Sequence, residues 1–240
     1  MKAEAETRPV LFWVPGHLCD ARLYVDQWTA FQGRAEQRLA ETRADADLGA
    51  MAERLIAQAP PRFAIAGLSM GGMVAMEVLA RAPDRVIGAA LLDTDPTPAR
   101  PKEIAWRAEM RSRVRDDGIG AFVDVFVSKF FTHSARTEDA LAVKVRDMMI
   151  DAGESVFRTQ SDALDARRDT RAAVARYAGP LAIICGAEDR VCPPKLHRPL
   201  GLGENADLTV VPSCGHLATL EAPHAVNAAL SNWLDALPPR

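Results

Sequence analysis

The chain has 240 residues, of which 48% are hydrophobic and 25% charged, the proportions of a soluble globular protein. That length fits one substantial domain with room for an insertion, and buries enough surface for the core to need no metal or disulfide staple. A net charge of −3 argues against nucleic acid as a partner, and no apolar run approaches the roughly 18–20 residues that cross a bilayer, which argues against a membrane partner.

The first residues, MKAEAETRPVLFWV, mix their charges and contain only a short apolar run, so they do not read as a secretory signal. Val10–Val14 is the first predicted strand, followed by a Pro15–Gly16 turn. Gln37–Thr42 is a weaker second strand. Asp47–Gln58 carries Leu48, Met51, Leu55 and Ile56 at near-helical spacing and stops at Pro60–Pro61. Arg62–Leu68 is the third strand, and Met70–Arg81 a helix ended by Ala82–Pro83. Val86–Leu92, Leu181–Cys185 and Leu208–Val211 follow as strands four to six, with a last amphipathic helix from about Pro223 to Leu237. Short apolar runs alternating with amphipathic stretches predict an α/β fold, a mostly parallel sheet of about six strands flanked by helices.

Between the fourth and fifth strands the alternation stops. Residues 97–172 show helical periodicity with weak breaks near Gly118–Gly120, His133–Ser134 and Gly153, and no convincing strand. A connection this long carries structure of its own. It predicts an inserted helical cap that divides the core into residues 1–96 and 173–240. The segment has a net charge of +1 against −4 for the rest, so the cap is the more basic part of an acidic protein.

Four cysteines, Cys19, Cys185, Cys192 and Cys214, lack metal-binding or redox spacing and read as reduced thiols in a cytoplasmic protein. A Cys192–Cys214 bridge is an alternative that sequence does not test. No metal site is expected.

The densest chemical signal is Gly67-Leu68-Ser69-Met70-Gly71, between a predicted strand and a predicted helix. About 0.03 such matches are expected by chance from this composition. At a sharp strand-to-helix turn the serine hydroxyl points out of the sheet, the flanking glycines let the backbones approach, and the helix amino end favours an anion. A serine needs a base to remove its proton. Of five histidines, His216 follows the sixth strand on a loop that can reach the carboxyl edge of the sheet, whereas His133, His197 and His224 lie in or beside helical sequence. The base in turn needs a carboxylate to hold its tautomer. Asp189, just after the fifth strand, gives the chain order Ser…Asp…His that accompanies this turn. Glu188 is the nearest competitor, and Asp93 and Asp95 after the fourth strand are a second source, with Asp93 the first substitute. Acyl transfer also needs donors for the oxyanion. The backbone N–H groups of Met70 and His17, the latter in Pro15-Gly16-His17-Leu18, are the candidates.

With these residues placed, the chain resembles the α/β-hydrolase superfamily along its whole length outside the cap. The carriers are the Gly67–Gly71 turn, Gly186-Ala187-Glu188-Asp189-Arg190-Val191-Cys192-Pro193, and Gly215-His216-Leu217-Ala218-Thr219-Leu220-Glu221-Ala222-Pro223. Size and cap position resemble compact carboxylesterases of the pimeloyl-acyl-carrier-protein methyl ester esterase type. The resemblance implies that the six strands correspond to the last six of the usual eight. One departure is Pro15-Gly16, where many relatives have His-Gly; a proline cannot make that histidine's hydrogen bonds.

The expectation is a serine esterase with Ser69, Asp189 and His216 as triad, working without a cofactor. Thioester, lactone, amide or carbon–carbon bond cleavage on the same triad, and a non-catalytic binding module, are the alternatives. Phe122, Phe126 and Phe130 recur at i, i+4 and i+8. Such a stripe packs cap helices together or lines a cleft, and in the second case Leu18 and Leu217 complete an apolar substrate wall. Arg107, Arg111, Arg113 and Arg115 crowd one segment, which reads most simply as a solvated helix face and alternatively as a docking face for an acidic carrier protein or a carboxylate-bearing ester.

Overall fold

The computed structural model describes residues 8–131 and 140–238. Six strands, β1 (Val10–Val14), β2 (Glu36–Leu39), β3 (Phe63–Leu68), β4 (Val86–Leu92), β5 (Leu181–Gly186) and β6 (Ala206–Val211), form one sheet. Their order is β2-β1-β3-β4-β5-β6, and every pairing is parallel. The four inner strands are buried along their whole length, which is why each reads as a continuous apolar run. The edge strands depart most from the sequence reading. β2 ends at Leu39 rather than Thr42, and β6 begins two residues early at Ala206. Each has a face in water, so its ends carry no apolar signal.

The helices are α1 (Val25–Ala30), α2 (Leu48–Gln58), α3 (Met70–Arg81), α4 (Pro101–Asp117), α5 (Ile119–Phe130), α6 (Ala140–Asp165), α7 (Arg171–Arg176), α8 (Pro194–His197), α9 (Ala218–Glu221) and α10 (Pro223–Asp235). Asp47 starts α2 by accepting a hydrogen bond from the Ala50 N–H. The two faces of the sheet bury different helices, and β1 shows the division. Val10, Phe12 and Val14 pack with α2 and α3, while Leu11 and Trp13 face the other way, toward the Val226, Leu230 and Trp233 side of α10.

Helices α4 to α6 pack on one another between β4 and β5. Gly118, with φ 81°, separates α4 from α5, and Gly153, with φ 80°, interrupts α6, two of the three predicted breaks. The third, His133–Ser134, lies outside the described residues.

The chain leaves β1 toward β2 on one side and returns to β3 on the other, which opens a crevice at the carboxyl ends of β1 and β3. Tyr24 fastens this place. Its hydroxyl donates to the Val14 carbonyl at 2.7 Å and accepts the Leu68 N–H at 3.0 Å, joining the two strand ends. Immediately beyond, the backbones touch: a Cβ on Gly71 would overlap the Val14 carbonyl, and one on Gly67 the Gly71 carbonyl. Gly71→Ala is therefore expected to lower stability by more than about 3 kcal/mol, because the obstacle is backbone and cannot rotate away. Gly120→Ala, with open space around its Cβ, serves as control, and its melting temperature should equal or exceed that of the parent. Chemical denaturation of Gly71→Ala and thermal melts of both variants check this.

Candidate active site

Ser69 stands between β3 and α3 with φ 57° and ψ −117°, a region that side-chain-bearing residues rarely enter. The strain is held in place by the Ser69 N–H to Leu92 carbonyl bond at 2.9 Å and by the close contacts of Gly67 and Gly71. Its hydroxyl lies 3.0 Å from Nε2 of His216, and Nδ1 of His216 lies 2.8 Å from Asp189. With Nδ1–H donating to the carboxylate, Nε2 is left as acceptor for the serine hydroxyl. The imidazole and carboxylate are buried, with side chains 2% and 0% exposed, while Ser69 is half-buried.

Each partner is braced separately. The other oxygen of Asp189 accepts the N–H groups of Val191 and Cys192 at 2.7 and 2.9 Å. Burial alone would raise this carboxyl, but His216 and these two N–H groups bring it below the usual carboxylate value. The His216 loop is pinned at three consecutive N–H groups. Gly215 and Leu217 donate to the Glu221 carboxylate, each at 3.0 Å, and His216 donates to the Phe130 carbonyl at the end of α5 at 2.6 Å. The Phe130 ring then stacks on the imidazole, centroids 5.3 Å apart.

The competitors for these positions fall elsewhere. Glu188 is exposed. Asp93 is buried beneath the site and accepts the N–H groups of Gly186 and Ala218, which ties the end of β5 to the start of α9. Burial and the neighbouring Asp189 charge push its carboxyl well above the usual value. His197 is buried and accepts the Thr94 N–H, and His224 is exposed on α10. His133 lies outside the described residues.

The loop after β1 lies against the serine: a Cβ on Gly16 would sit 3.5 Å from that of Ser69. The Leu18 N–H donates to Gln160 of α6 at 2.8 Å, and Gln160 donates onward to the Thr42 carbonyl, so α6 holds this loop. Met70 is the first residue of α3, where an N–H has no intrahelical acceptor. Nothing in the sequence singled out Gln160, Tyr24 or Glu221 as supports, because their partners are backbone groups, which leave no side-chain pattern to read.

A cleft of about 370 Å³ opens beside Ser69, walled by His17, Trp106, Phe126, Lys129 and Val191 among others. Of the five residues expected to form a substrate wall, Phe126 alone lines it. Phe122 is buried against Phe157, with ring centroids 4.5 Å apart, and Leu18 and Leu217 are core residues. Phe130 covers His216 instead. The basic segment also changes character: Arg107 and Arg111 both pair with Asp165 at 2.5 Å, and Arg115 with its neighbour Asp116. All four cysteines are buried and free, Cys192 and Cys214 included. Among the described residues no group of three or more His, Cys, Asp or Glu is placed to hold a metal ion.

The sequence profile of the Alpha/beta hydrolase family matches residues 12–229. The chain belongs to this family. Among curated relatives, BpoC of Mycobacterium tuberculosis H37Rv, which carries a provisional name as a non-heme bromoperoxidase, is 28% identical over 195 residues, covering 77% of this chain and 71% of BpoC. Among solved structures, a thermophilic esterase from Thermogutta terrifontis superposes with a TM-score of 0.85 at 23% identity, over 95% of this chain and 90% of the esterase. The enol-lactonase of Burkholderia xenovorans LB400 gives 0.86 at 20% identity, over 97% and 93%. At these identities the structural likeness establishes the α/β-hydrolase fold.

His17 has a property that sequence did not suggest. Its ring is packed among Phe122, Phe126 and Phe157, one ring nitrogen bonds the Phe157 backbone, and Nε2 is buried without a partner among the described residues. Burial first, and the Arg107 charge second, lower its pKa from 6.5 to about 3. The unfolded chain therefore binds a proton that the folded chain rejects between those values. Stability from this group is full above about pH 6.5 and is lost as pH falls toward 3. His17→Gln should reduce the loss of unfolding free energy between pH 7 and 5 by about 1–2 kcal/mol relative to the parent. Urea titrations at the two pH values measure it, and equal losses would contradict a buried neutral imidazole.

Proposed function

We propose that this chain is a serine hydrolase that cleaves carboxylic esters through an acyl-enzyme on Ser69. The observation that carries the reading is the unbroken hydrogen-bonded line Ser69–His216–Asp189, ending in a cleft at the crevice of the sheet. His216 Nε2 takes the hydroxyl proton as Ser69 Oγ attacks the ester carbonyl, and Asp189 stabilises the imidazolium that forms. The N–H groups of Met70 and His17 hold the negative charge developing on the carbonyl oxygen. When the tetrahedral adduct collapses, His216 gives its proton to the departing alkoxide. Water, deprotonated by the same nitrogen, then releases the acid and restores the hydroxyl. Every proton in this cycle is carried by side chains already in contact.

Esterase and lactonase are the names of the two solved relatives above, and both reactions open a carboxylic ester bond. The helices between β4 and β5 act in this reading as the cap, residues 97–172, with Phe130 shielding the imidazole from water and Gln160 holding the oxyanion loop.

Ser69→Ala should lower kcat on p-nitrophenyl esters by about 10⁴-fold or more and leave the thermal melt unchanged, because the alanine keeps the backbone and removes the attacking oxygen. Near-parental turnover by this variant would contradict the nucleophile. Phe130→Ala should reduce kcat by a smaller factor, on the order of tenfold, with KM little changed, since it loosens the imidazole rather than removing it. A variant with parental kcat would show that stacking on His216 has no part in the reaction.

A further inference from the structure

The protein is acidic, with a net charge of −3, yet the cleft beside Ser69 is lined by six cationic side chains and only two carboxylates. Both carboxylates are already engaged. Asp95 pairs with Arg100 and Arg167, at 3.4 and 3.6 Å, and Glu103 pairs with the same two arginines. Arg100 and Arg167 balance those two carboxylates and Asp165 pairs with Arg107, so the lining cations without an ion pair among the described residues include Lys102 and Lys129.

Lys129 is the most informative of these. It is half-buried, its Nζ lies 4.2 Å from the Trp106 ring centroid, and among the described residues it has no carboxylate in ion-pair contact. Burial lowers its pKa, as for an ammonium group deprived of water without a counter-charge. A lysine in such a place would ordinarily extend into solvent. Arg107, on the same wall, adds a second observation. Its Nε is paired with Asp165, but its Nη2 is buried and has no acceptor among the described residues. An unsatisfied guanidinium nitrogen in a low-dielectric wall costs free energy that a bound anion would recover. Trp106, adjacent in sequence to Arg107 and beneath Lys129, supplies an apolar floor, continued by Phe126 with ring centroids 5.6 Å apart.

We propose that this wall is an anion subsite, and that the ester cleaved at Ser69 carries a second group, a carboxylate, held by Lys129 and Arg107 over the Trp106 ring. This assigns a substrate class, and it rests on the ester-hydrolysis reading given above. The ester carbonyl faces Ser69 while the carboxylate end is fixed on the cationic wall, so neutral esters of the same length bind without an anchor. Specificity is then set by α4 and α5 rather than by the sheet. An anchored carboxylate displaces water from the Lys129 ammonium and supplies the counter-charge that Lys129 lacks among the described residues.

The test compares two p-nitrophenyl esters of similar length, the hydrogen glutarate monoester, which is anionic, and the neutral hexanoate. The readout is the ratio of their kcat/KM values, which cancels any general loss of activity. The parent should favour the anionic ester by on the order of tenfold at low salt, with the preference shrinking as ionic strength rises. Lys129→Gln should remove most of that preference, and Lys129→Arg should restore part of it. Lys144→Gln, which removes the same charge from an exposed position on α6, should leave the ratio as in the parent. A parental ratio near one, or a ratio unaltered by Lys129→Gln, overturns the subsite while Ser69-dependent hydrolysis of the hexanoate still supports the esterase reading. Failure to cleave either ester refutes the esterase reading itself, and the subsite falls with it.

Discussion

At Ser69 the chain turns from a strand into a helix within a single residue, and it does so at positive φ because the backbones of β1, β3 and α3 are too close to allow any other path. The hydroxyl consequently leaves the sheet at its carboxyl edge, at the amino end of α3, instead of folding back into the core. Everything else at the site is arranged around that fixed point. Tyr24 holds the ends of β1 and β3 together beneath it, and Asp93 ties β5 to α9 behind it. The imidazole loop is fastened at three successive amides, so the 3.0 Å approach of His216 to the serine is set by the backbone as well as by the side chain.

The helical segment between β4 and β5 contributes a different kind of order. It touches the site through an aromatic ring on His216, an amide side chain on the loop after β1, and a wall of cations facing the cleft. The first two restrict motion of groups that the sheet has already placed. The third gives the cleft a sign opposite to that of the protein as a whole. Such a division suits a family in which the sheet keeps the chemistry and the inserted helices vary the ligand.

How far the sequence reveals this follows from where each residue gets its position. Ser69, Asp189 and His216 each follow an inner strand or a strand end, and the alternation of apolar runs locates strand ends even when pairing is unknown. Their meeting follows from the parallel sheet. The substrate wall has no such frame. Phe122, Phe126 and Phe130 share a helix face by spacing, but how α5 is rotated against its neighbours is decided by packing, and only Phe126 reaches the cleft. Arg107 and Arg111 read as part of a free basic strip because their partners, Asp162 and Asp165, lie more than fifty residues away on α6. Likewise Gln160 and Glu221 bond main-chain groups, and no side-chain pattern announces a backbone acceptor or donor.

The relay from Asp189 through His216 to Ser69 is the central claim, and covalent trapping addresses it most directly. After incubation with a fluorophosphonate, intact mass and peptide mapping should show one adduct, on the peptide containing Ser69. Formation should slow by orders of magnitude in His216→Ala, because the hydroxyl then lacks its base. No adduct, an adduct at another residue, or equally fast labelling without the imidazole would contradict the account.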